Sequence, residues 1–82
     1  MAQDLPGIFA SREAFESYCE RLTSSLDERR TSRIEFLQQG VERLRSLEHT
    51  ATVVGDTETA ADLTAHITAA EAQLTTLRQL SL

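Results

Sequence analysis

Ala60, Leu63, Ile67, Ala70, Leu74 and Leu77 follow one another at steps of 3, 4, 3, 4 and 3, the spacing of a helix that lies along another helix. This pattern, within Thr57 to Leu80, constrains the fold more than any other feature of the chain. Between Leu63 and Leu77 the only formal charge is Glu71, and the outward positions hold Ala65, Thr68, Ala69, Ala72, Thr75 and Thr76. A helix with its back to water usually carries more charge. The expectation is therefore a helix that other helices cover on more than one side, with small residues letting backbones approach.

The nearest partner lies just upstream. Ile34, Leu37, Val41, Leu44 and Ala51 repeat the same alternation of steps, with Glu48 filling one seam position. Between the two patterns, Val53-Val54-Gly55-Asp56-Thr57 is the clearest turn in the sequence. Gly55 suits the left-handed position after a helix end, and Asp56 or Thr57 can cap the helix that follows. The predicted architecture is all-α: an antiparallel helical hairpin of 34–52 with 57–80. A second stripe, Phe36, Gly40, Leu47 and Val54, runs beside the first and makes the apolar face too broad for one neighbour. Gly40 in a helix interior costs roughly 1 kcal/mol relative to Ala, so it predicts either a close crossing or a kink.

Upstream of the hairpin, residues 1–10 contain Pro6 and Gly7 and form an N-terminal arm; residues 11–82 form a single helical domain. Ile8 and Phe9 are large and apolar, which predicts that the arm folds back and that Phe9 or Ala10 meets Phe15 as a staple. Ser11 is a good N-cap, with Glu13 in the first turn where the helix dipole favours an acid. Phe15, Tyr18, Cys19, Leu22 and Leu26 then form one apolar face of an N-terminal helix, 11–30. Cys19 reads as a small buried hydrophobe, and Tyr18 as a boundary residue with its hydroxyl at the rim.

Asp27 to Arg33 decides the topology. It holds no Gly or Pro, which favours a helix that runs through. Ser32-Arg-Ile-Glu35 is nevertheless a capping-box pattern that could start a new helix, and the seam spacing 26, 30, 34 contains two steps of four. A stutter in one helix or a break between two gives that phase shift. The two solutions are a long-helix hairpin that oligomerises and a three-helix bundle.

Composition limits function more than it defines it. Eighty-two residues make one domain with a modest core, which leaves little room for a large catalytic cleft. Thirteen acidic residues against eight basic ones give a net charge of −5, which disfavours nonspecific binding to nucleic acid or to an anionic membrane. All eight basic residues are Arg, a bias that GC-rich coding also produces. A lone cysteine excludes an intramolecular disulfide. The start, MAQDLPGIF, lacks a basic region followed by an apolar one, and no apolar run approaches membrane-spanning length. These features predict a soluble, cytoplasmic chain.

Chemistry-bearing patterns are sparse. His49 and His66 do not share a metal-binding spacing, and Asp62 with His66 reads as a surface pair. No glycine-containing nucleophile turn or phosphate-cradling loop surrounds any Ser or Thr. The expectation is no enzyme, no cofactor and no metal. The excess of apolar helix face predicts a protein–protein interaction module: an adaptor, small chaperone or regulatory subunit that binds itself as a homodimer or binds a larger protein. The residues assigned to that contact are Phe15, Tyr18, Cys19, Leu22, Leu26, Arg30 and Phe36. The alternative is a nucleic-acid-associated regulator in which a dimer gathers Arg29, Arg30, Arg33, Arg43 and Arg45 into one patch.

Overall fold

The structure, a computed structural model, describes residues 9–80. Ile8 and most of the predicted arm lie outside the described residues. The chain is all-helical, with two helices that pack against each other: α1, Arg12–Val53, and α2, Thr57–Gln79. It is very extended, measuring 70 × 19 × 19 Å.

α1 starts where the sequence signals it. Ser11 is extended, and its hydroxyl accepts the Ala14 N–H at 3.1 Å, which satisfies one of the donors that a helix start leaves open. From there α1 runs for 42 residues without a break, so the new helix offered by Ser32 to Glu35 does not form. The described residues hold two helices and not three. A capping box stabilises a start only where the chain has a reason to leave the preceding helix, and nothing between Asp27 and Arg33 supplies one.

The end of α1 is a Schellman motif. The Asp56 N–H donates to the Ala51 carbonyl at 2.9 Å and the Gly55 N–H to the Thr52 carbonyl at 3.1 Å. Gly55 has φ +81°, the left-handed conformation that a residue without Cβ adopts at little cost. Asp56 then serves the next helix: its carboxylate accepts the Thr59 N–H at 3.1 Å and the Thr59 hydroxyl at 2.6 Å. One residue closes α1 and opens α2.

The core is the seam between the helices. Leu37 and Val41 of α1 and Ile67 and Leu74 of α2 are buried, and Ile34, Leu44, Ala70 and Leu77 pack against them half-buried. Ala51 is buried near the turn. Polar contacts run across the same seam. Glu48 accepts from the Thr64 hydroxyl, and Arg45 pairs with Glu71. Arg30 reaches the carbonyls of Leu77 and Leu80. Later positions of α1 thus meet earlier positions of α2.

Two expectations are corrected. Gly40 marks no close crossing among the described residues: α1 continues through it, and a Cβ built there meets nothing within 4 Å. Among the described residues α2 is covered on one side only, by α1; Ala65, Thr68, Ala69, Ala72, Thr75 and Thr76 are exposed. The Thr68, Thr75 and Thr76 hydroxyls donate to carbonyls four residues back. That bonding turns the hydroxyls toward their own helix and explains how α2 tolerates a surface so poor in charge.

Candidate partner-binding face

α1 is nearly twice as long as α2, 42 residues against 23, or about 63 Å against about 35 Å at 1.5 Å per residue. α2 therefore ends part-way along α1. Its end is marked by Arg30, whose Nη1 donates to the Leu80 carbonyl at 2.9 Å while Nη2 pairs with Asp27. Beyond this point an open notch, lined by Cys19, Thr23, Ser24, Asp27 and Leu80, leads onto the first half of α1.

Among the described residues, that first half keeps its apolar stripe without a helical neighbour. Tyr18, Leu22 and Leu26 are 41%, 43% and 48% exposed, and Phe15 and Cys19 are half-buried. The shelter of Phe15 comes from the arm, as the predicted staple requires: the Phe9 ring stands edge-on to Phe15 with centroids 5.3 Å apart and tilts against Tyr18 at 5.1 Å. These contacts half-bury Phe15 at one end of the stripe and leave the middle open.

The second half of α1 carries its own open residues on the side away from α2. Phe36 is 63% exposed and Leu47 50%. The Arg33 guanidinium lies over the Phe36 ring, 5.3 Å from its centroid, an exposed cation–π contact worth about 0.5–1 kcal/mol. Val53 and Val54 at the turn are exposed as well. Of the residues assigned from sequence, Phe15, Tyr18, Cys19, Leu22, Leu26 and Phe36 lie on α1 outside the α2 seam. Arg30 lies in the seam and is engaged within the chain.

The arginines are divided. Arg30 and Arg45 pair toward α2, whereas Arg29, Arg33 and Arg43 lie on the open side. Among the described residues these last three, and their neighbours Glu28, Glu35 and Glu42, form no ion pair within the chain. His66 Nδ1 lies 2.8 Å from the Asp62 carbonyl of its own helix. Among the described residues no group of three or more His, Cys, Asp or Glu is placed to hold a metal ion, and no helix is long and apolar enough to cross a membrane. The chain matches no protein-family model, no curated protein and no solved structure.

Proposed function

We propose that this chain is a non-enzymatic protein–protein interaction module, of the adaptor, small-chaperone or regulatory-subunit kind, built as an antiparallel helical hairpin whose long arm docks a second copy or a larger protein. One observation carries the reading: α2 ends opposite Arg30, and beyond it Tyr18, Leu22 and Leu26 are left more than 40% exposed on an unbroken helix. A run of large apolar side chains on one helix face gains free energy when another helix covers it, at about 25 cal/mol per Å². Helix-on-helix docking needs no chemistry beyond this face.

The test is Leu22→Glu, compared with the parent chain by circular dichroism, light scattering and capture of proteins from the native host. Leu22 lies outside the seam, so the two-helix unit should keep its helicity and still melt cooperatively, at a temperature lowered only by the stabilisation that association supplied, while association, with itself or with a larger protein, should be lost. A parent chain that associates with nothing, or an association that Leu22→Glu leaves intact, contradicts the proposal.

A further inference from the structure

The unbroken α1 joins two stripes that stand apart in the sequence. Phe15, Cys19, Leu22 and Leu26 advance by steps of 4, 3 and 4. The same alternation continues through Arg29 and Arg33 to Phe36, Gly40, Arg43 and Leu47, and closes at Thr50 and Val54. This is one heptad register, about forty residues long, displaced by one residue from the register that packs on α2 (Ile34, Leu37, Val41, Leu44). One residue is roughly 100° around the helix. A neighbour on this register and α2 would therefore flank α1 at about a right angle, as adjacent helices of a four-helix bundle do. None of these positions is buried in the single chain.

We infer that the neighbour is a second copy of this chain, its α1 running antiparallel along the full length of the first about a twofold axis between Ile34 and Glu35. This rests on the interaction-module reading and names its partner. The register pairs with itself in one direction only. Parallel and in register, Arg29, Arg33 and Arg43 would each face their own copy, a stack of like charges. Antiparallel, Leu22 faces Leu47 of the second copy and Phe15 faces its Val54. Arg33 faces the aromatic ring of Phe36, the partner it already covers within one chain. Arg29 faces Gly40, where the absence of a side chain, unexplained by any contact within the chain, makes room for a guanidinium. Arg43 faces Leu26 of the second copy, with Glu28 beside it, and Glu42 comes near Arg29, so charges that form no ion pair among the described residues of one chain find opposite ones.

Cys19, the chain's only cysteine, then faces Thr50 of the second copy. Within one chain these positions are about 46 Å apart along the helix and cannot meet. Thr50→Cys, oxidised mildly at micromolar concentration, should give a covalent dimer whose peptide map contains Cys19 joined to position 50 between chains. The parent chain should give none, and adding Leu22→Glu should abolish the cross-link. A Cys19–Cys19 linkage, or a dimer by light scattering that yields no 19–50 linkage, overturns the antiparallel register. A monomeric parent whose capture of a larger protein still depends on Leu22 overturns the second copy and leaves the interaction module standing. A monomer with no Leu22-dependent capture removes both.

Discussion

Arg30 of α1 donates from Nη1 to the carbonyl of Leu80, fifty residues later in sequence, at 2.9 Å, and reaches the Leu77 carbonyl at 3.4 Å. A cation thus reaches the C-terminal end of α2, where the Leu77 carbonyl otherwise accepts only the Leu80 N–H at 3.4 Å and where the helix dipole also favours positive charge. Its Nε is buried without a partner, so the contact is not optimal in every atom. Arg30→Ala should loosen the last turn of α2 and cost roughly 1 kcal/mol, lowering the melting temperature by about 4–8 °C for a domain of this size. Hydrogen exchange should place the loss in the last turn of α2 and not at Gly55.

Glu48 occupies a seam position that the heptad reserves for an apolar side chain, and it accepts a hydrogen bond from Thr64 across the seam. The Thr64 hydroxyl also has the Ala60 carbonyl of its own helix at 3.0 Å, so it is not stranded if the carboxylate goes. Glu48→Leu should therefore stabilise the fold by about 1 kcal/mol, exchanging a half-buried charge for apolar area. Thermal melts of the two proteins check it.

The two described glycines predict opposite signs. At Gly40 a Cβ meets nothing within 4 Å in the chain, so Gly40→Ala should gain about 1 kcal/mol of helix stability. At Gly55, with φ +81°, Gly55→Ala forces a side chain into the left-handed region and should destabilise by about 1 kcal/mol. Denaturant midpoints of the pair test both, and concentration-dependent melts would show whether Gly40→Ala also disturbs the layer with Arg29 of a second copy.

The Asp56 carboxyl is held below the usual carboxylate range, first by the Thr59 hydroxyl and then by the Thr59 backbone N–H. A carboxyl depressed in the folded state contributes stability that is fully present above the unfolded value of about 3.9 and is lost as pH falls through the folded one. Melting temperature should therefore drop below about pH 4. Asp56→Asn keeps a capping oxygen without the titration, so it should be less stable than the parent at neutral pH and lose less on acidification. Other acids titrate in both proteins, and the difference between them isolates Asp56.

The seam was legible because its residues are apolar and regularly spaced: Ala60 to Leu77 on one side and Ile34 to Ala51 on the other all lie where the periodicity predicts. Ser11 and Gly55 were equally plain, since their roles follow from local backbone chemistry. The continuity of α1 was not plain. Leu26, Arg30 and Ile34 look like one stripe with a stutter, but Leu26 belongs to the open register and Arg30 to the seam. Three arginines within five residues hide the crossover from one register to the other. The engagement of Arg30 within the chain was hidden for a related reason, because it depends on where α2 stops and nothing local to Arg30 records that.

Light scattering on the intact chain at micromolar concentration tests most directly whether the open face of α1 is an association surface filled by a second copy. A mass about twice the 9.1 kDa of one chain, returning to that of a single chain on Leu22→Glu, is the predicted result. A clean monomer at that concentration, melting cooperatively with Tyr18, Leu22 and Leu26 still in solvent, would contradict it.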